Sequence, residues 1–200
     1  MNKSIGVPPH PEPWPISSKY DPELLANGDR RNVPDMYRYW TNRAINNELD
    51  KSRNTLHIAI ENYQHDFNIG TIVRSANAFN VAAVHIIGRR RWNRRGAMVT
   101  DRYLDIIHHP TIEDFMRTAK SHHIIAIDNL PGAVPLSQTT LPKNSVLVFG
   151  GEGPGLSQAM ITASEKMVKI EQFGSTRSIN LGVAAGIAMY AWLQQNVLLK

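Results

Sequence analysis

Two hundred residues with 42% hydrophobic content suffice for one α/β domain with a core and fall short of two. The absence of cysteine excludes disulfides, thiolate zinc sites, iron–sulfur clusters and cysteine nucleophiles. No run of about 18 apolar residues and no apolar signal-peptide stretch occurs, so a soluble cytoplasmic protein is expected, and the formal charge of +5 favours polyanionic partners.

Residues 1–33, with PPHPEPWP at their heart, show little apolar periodicity and predict a loosely draped, Pro-rich tail. An extension over 34–53 follows. Pro34 suits a first helical position, and Met36, Tyr37, Trp40, Ala44 and Leu49 fall near one helical face through about Lys51. The main domain is expected over 54–200. There, LHIAIE (56–61), AAVHIIG (82–88), HIIAID (123–128), SVLVFG (145–150) and MVKI (167–170) predict strands, while 69–79, 111–121, 156–164 and 181–195 predict helices. Strands alternating with helices imply an α/β fold, a parallel sheet with flanking helices.

Just after the second predicted strand, Arg89, Arg90, Arg91, Arg94, Arg95 and Arg102 crowd into one irregular segment with Trp92 and Tyr103. Strand ends are where α/β proteins place ligands, and guanidinium forks beside an aromatic ring fit RNA phosphates and bases. The bland alternative is a solvated charged loop. The pairs His108–His109 and His122–His123 resemble metal ligands, but neighbours on a strand point to opposite faces; surface or loop positions, and no metal, are expected.

Three blocks carry the chemistry. Asn68-Ile-Gly-Thr-Ile-Val-Arg74 opens a helix, where Asn68 can cap, Gly70 permits close approach and Arg74 lies about one and a half turns in. Leu147-Val-Phe-Gly150-Gly-Glu152-Gly-Pro-Gly155-Leu-Ser157 leaves a strand through a glycine-rich turn that exposes backbone polar groups, with the Glu152 carboxylate at the strand end. It matches neither a dinucleotide fingerprint nor a P-loop. Ile170-Glu-Gln-Phe-Gly-Ser-Thr-Arg177-Ser178-Ile179-Asn180 crosses a polar loop into the last helix, which Ser178 or Asn180 can cap; the remaining polar groups make a binding loop.

In this order, over about Leu56 to Gln195, the blocks resemble the SpoU (TrmH) family of RNA 2'-O-ribose methyltransferases in the SPOUT class, with its N-x-G-x-x-x-R, F-G-x-E-x-x-G-L-S and S-[LI]-N motifs. Where that family commonly has I-P-M, this chain has Ile170-Glu171-Gln172. The resemblance implies a C-terminal trefoil knot, an exception to the rule that chains avoid knots. It implies S-adenosylmethionine as cofactor, leaving as S-adenosylhomocysteine, held at Gly150, Ile170 and Ile179 with Ser178 and Asp128 beside them. It also implies a catalytic group of Arg74, Asn68, Glu152, Ser178 and Asn180, a tRNA or rRNA substrate, and a homodimer formed through the knot and the small-residue helix from Leu181. The arginine segment and Arg177 are the expected RNA contacts. The runner-up reading is a non-catalytic RNA-binding protein of the same fold; a nucleotide-dependent oxidoreductase stands third.

Overall fold

The computed structural model describes residues 6–64 and 67–199; the first five residues of the expected tail and the last residue of the expected main domain lie outside them. In chain order the elements are α1 (Pro22–Asn27), α2 (Asn42–Asp50), β1 (His57–Asn62), α3 (Asn68–Ala78), β2 (Ala83–Gly88), β3 (Asp105–His109), α4 (Ile112–Thr118), β4 (His123–Ile127), β5 (Val134–Pro135), β6 (Ser145–Phe149), α5 (Gln158–Ala163), β7 (Lys166–Lys169) and α6 (Leu181–Leu193). The strands form one sheet in the order β3-β2-β1-β6-β4-β7-β5, and every pairing is parallel.

Alternation along the strands builds two cores. Ile58, Ile60, Val84, Ile86, Leu147 and Phe149 face α3 and α6, whereas Ala59, Ile87, Val146 and Val148 face α4 and α5. Helix α3 turns Ile69, Ile72, Val73 and Ala76 inward at helical spacing. Small residues let α6 lie close on it: a side chain at Gly182 would meet Thr71 Cγ2 at 3.0 Å. Trp192, fully buried on α6, donates to Pro142 O at 2.9 Å and ties the last helix to the chain entering β6. Between β7 and α6 the chain runs back past the loop after β4, where Asn129 Nδ2 donates to Arg177 O at 3.2 Å.

Two strands escaped the sequence reading. β3 is an edge strand buried on alternate residues only, and β5 is two residues long, too short for a periodic signal. The helix expected from Pro34 to Lys51 is broken. A turn of 3-10 helix at Asp35–Tyr37 stops at Tyr39, whose φ is 62°, and α2 restarts under a Thr41 cap, with Ala44 N–H donating to Thr41 Oγ1 at 3.1 Å.

Nor is the segment 6–33 loosely draped. It bridges Val7 to Asp29 and Tyr20 to Trp40, and it carries α1, capped by Asp21. Its anchor is Asp29, fully buried, which accepts from Arg31 Nε at 2.9 Å, Arg31 Nη2 at 2.7 Å and Tyr39 N at 3.0 Å. Burial alone would raise this carboxyl; the hydrogen bonds and charge of Arg31 outweigh it and hold the pKa down to about 2. A buried charge paired in this way fixes the path of a chain that apolar periodicity could not reveal.

Candidate functional site

At the C-terminal ends of β4, β6 and β7 lies a cleft of about 530 Å³. All five positions expected to hold a cofactor line it: Asp128, Gly150, Ile170, Ser178 and Ile179. Gly150 leaves β6 so tightly packed that a Cβ there would stand 2.0 Å from Gly155 C. Gly155, at φ +70°, closes the turn by donating its N–H to Gly151 O at 3.0 Å. Asp128 is occupied in shaping that turn: its Oδ2 accepts Leu156 N–H at 3.0 Å and its Oδ1 accepts Asn129 N–H at 2.7 Å.

Three polar side chains from the three motifs meet at Glu152, on the rim of the cleft. Asn68 Nδ2 donates to Glu152 Oε2, while Asn180 Nδ2 donates to Asn68 Oδ1 at 2.8 Å and to Glu152 Oε1 at 3.3 Å. Asn180 also caps α6, its Oδ1 accepting Val183 N–H at 3.3 Å. Asn68 does not cap α3, contrary to expectation; its amide is turned to Glu152. Arg74 is not bonded to this group. It is exposed on α3 and makes no hydrogen bond or ion pair among the described residues, so its guanidinium is a standing cation open to a ligand. Ser178 is exposed, and its carbonyl accepts Thr176 Oγ1 at 2.9 Å.

The backbone of the arginine segment is docked on the domain. Asn62, buried at the end of β1, donates Nδ2 to Arg89 O at 2.6 Å and Arg91 O at 3.0 Å. Gly70 of α3 packs so close to the turn at 93–97 that a Cβ would meet Asn93 O at 2.8 Å. All six arginines remain exposed. Of the two aromatic residues in this segment, Tyr103 is buried, and the partly buried Trp92 packs against the core under Arg94, whose Cζ lies 5.5 Å from its ring. Arg177 is exposed at the cleft wall.

Sequence reasoning missed Asn62 and its neighbour Glu61. Glu61 is buried at the end of β1, where its carboxylate accepts Ser157 N–H and Ser157 Oγ–H, both at 2.7 Å, and so pins the far end of the glycine-rich turn. A charged residue closing an apolar strand was the available signal. Of the paired histidines, His123 is exposed and His108 and His122 are half-buried, whereas His109 departs from the expected surface position. His108 reaches Gly88 O at 2.8 Å, but His109 is buried behind it.

Residues 55–190 match the sequence profile of the SpoU rRNA Methylase family. The tRNA (guanosine(18)-2'-O)-methyltransferase of Borreliella burgdorferi is 25% identical over 156 residues, covering 76% of this chain and 72% of that protein. Among solved structures, the TrmH/SpoU tRNA modifying enzyme of A. aeolicus superposes with a TM-score of 0.68 at 22% identity, covering 77% of this chain and 81% of that one. An AdoMet-bound rRNA methyltransferase from Sinorhizobium meliloti gives 0.63 at 24% identity, covering 70% of this chain and 56% of that one, so this chain spans little more than half of it.

Proposed function

Because the chain belongs to the SpoU rRNA Methylase family, we propose that it transfers a methyl group from S-adenosylmethionine to a ribose 2'-hydroxyl of tRNA or rRNA. The observation that carries this reading is the hydrogen-bonded group of Asn68, Glu152 and Asn180 on the rim of the 530 Å³ cleft. The cleft suits the cofactor. Its size falls within the range of small-molecule sites, Ile127, Leu130, Ile170 and Ile179 offer apolar wall, and the turn 150–155 offers backbone polar groups. The carboxylates of Asp128 and Glu152 complement a cationic ligand. When bound, the cofactor supplies an electrophilic methyl on a sulfonium.

The residues of the chain then have to position the ribose and stabilise the oxygen that loses its proton. Arg74 is the only member of the catalytic group with a permanent positive charge. A guanidinium has a pKa above about 12 and does not serve as a proton acceptor, so Arg74 anchors the phosphate of the target nucleotide and stabilises developing alkoxide charge, with water taking the proton. Asn68 and Asn180 hold Glu152 in place, and their amides orient the ribose. Glu152, already accepting from both, acts as an organiser rather than a base. Ser178 contributes from the same loop. Arg89, Arg90, Arg91, Arg94, Arg95, Arg102 and Arg177 supply phosphate contacts.

The active unit in this reading is a cytoplasmic homodimer. Val183, Ile187 and Tyr190 form an exposed apolar stripe on α6 at spacings of four and three residues, which a second copy would bury. Among the described residues no helix is long and apolar enough to cross a membrane. The test is to incubate the protein with isotope-labelled S-adenosylmethionine and separate tRNA and rRNA pools, then map ribose methylation. Tight cofactor binding with no transfer to any RNA would favour the non-catalytic RNA-binding reading.

A further inference from the structure

Sharing Gly151, Pro154, Gly155 and Leu156 with the larger cleft is a second, smaller hollow of about 140 Å³, lined also by Tyr63 and Gln64 and floored by Glu61 and Ser157. The floor is chemically spent, since both oxygens of Glu61 are bonded to Ser157. The walls are not. Tyr63 is 44% exposed, yet its ring is seated: Gly88, at φ +97°, leaves a notch in which a Cβ would lie 2.8 Å from Tyr63 Cδ1 and Cε1. Burial, together with the carboxylates of Glu61 and Glu113, raises the Tyr63 phenol, so the ring stays neutral at working pH.

The position of this ring matters as much as its exposure. It follows Asn62, the residue that grips the root of the arginine segment, and it faces the turn that carries Glu152. Tyr103 is buried and Trp92 packs against the core, whereas Tyr63 offers a part-exposed ring seated in a hollow, between the root of the arginine segment and the turn that carries Glu152. A 2'-hydroxyl in structured RNA is reached by splaying its nucleotide out of the stack, and an unstacked base is recovered by stacking on an aromatic face.

Resting on the methyltransferase reading above, we propose that Tyr63 is the platform for the target base: the splayed base stacks on its ring in the hollow against Pro154, with the Gln64 amide at the edge of the base. Tyr63 is thus a positioning residue for RNA and has no part in holding the cofactor.

The experiment compares wild type with Tyr63→Ala, Tyr63→Phe and Tyr63→Trp, using unfractionated bacterial tRNA and rRNA as methyl acceptors and calorimetry for S-adenosylmethionine. Loss of one base stack predicts a rise in KM for RNA of about 5- to 150-fold in Tyr63→Ala, with near-wild-type values in Tyr63→Phe and Tyr63→Trp. Cofactor affinity should be equal in all four proteins. The proposal is overturned if Tyr63→Ala keeps wild-type KM, if Tyr63→Phe fails as badly as Tyr63→Ala, or if Tyr63→Ala loses cofactor binding. A wild type that methylates no RNA overturns the underlying function instead, and this inference with it.

Discussion

Gly150 and Asn180 separate two kinds of functional position. An ideal Cβ on Gly150 would stand 2.0 Å from Gly155 C and 2.2 Å from Leu156 N, and the neighbours are backbone that cannot swing aside. Gly150→Ala is therefore expected to open the Gly151–Gly155 turn, at a cost of about 1–3 kcal/mol, and to weaken S-adenosylmethionine binding in calorimetry. Unchanged affinity would detach the turn from the cofactor. Asn180 has a double duty, capping α6 and bonding Asn68 and Glu152. Asn180→Ala should cost about 1 kcal/mol of stability in urea unfolding, the ordinary worth of a cap, yet remove most methyl transfer while leaving cofactor affinity intact. Full turnover in that variant would reduce Asn180 to a cap. The residue types at both sites were legible in the motifs. Their meeting was not: Asn68 is 84 residues from Glu152 and 112 from Asn180, and no spacing rule joins positions so far apart.

At the scale of elements, the β1–β2–β3 edge holds a row of histidines. His57 Nδ1 meets His85 Nε2 at 2.9 Å, and His85 Nδ1 meets His109 Nε2 at 2.8 Å, with Phe115 of α4 edge-on to the last two rings. Each nitrogen pair shares one proton, so the neutral rings must all carry hydrogen on the same kind of nitrogen, and a second added proton would set two N–H groups face to face. Burial, with His122 adding to it, depresses His57 to about 4; burial and the neighbouring histidines depress His85 to about 3; burial, then His108, lowers His109 against an opposing pull from Asp114. The unfolded rings titrate near 6.5, so below that pH the unfolded chain binds more protons and stability falls as pH drops from about 6.5 toward the folded values. Urea midpoints should be level from pH 8 to 7 and decline from pH 6.5 to 4.5, a decline that His85→Leu makes shallower. Equal midpoints at pH 7.5 and 5 would refute it. Asp29, held at about 2, adds a separate loss that begins only below its ordinary value of 3.8. The continuous apolar strands β1, β2, β4 and β6 were legible because burial on both faces writes itself into composition. β3 was not, because His108 and His109 serve an edge strand through hydrogen bonds that a hydropathy reading scores as surface.

At the scale of the molecule, the N-terminal extension braces the basic segment. Val33 and Ile45 share a small core with Tyr103, Asn46 Nδ2 donates to Arg102 O at 3.1 Å, and Arg53 reaches Tyr103 O at 3.5 Å. Residues 6–33 are tied down chiefly by isolated bridges and by the buried Asp29, polar contacts that leave no periodic trace, which is why they read as a tail. On the opposite account, the α6 stripe was visible as small and apolar residues in sequence; in the dimer reading Ile187→Asp should shift sedimentation to a monomer, and a monomeric wild type would remove the stripe as an interface. The arginine segment decides how the whole surface meets RNA. Arg94 and Arg95 are exposed, and the one ion pair they make among the described residues, Arg94 to Asp101 at 3.4 Å within the same segment, has a mostly exposed arginine, so its loss should cost less than about 1 kcal/mol. The double variant Arg94→Glu, Arg95→Glu is therefore expected to fold and to bind S-adenosylmethionine as wild type does. If both side chains neutralise phosphates, its RNA affinity should fall, and the slope of log K against log salt should shrink by about 0.7–0.9 for each contact removed. An affinity drop with an unchanged slope would mean that the variant disturbs shape rather than charge. An unchanged affinity would place the RNA on another face, away from the segment that Asn62, Gly70 and the N-terminal extension hold in position.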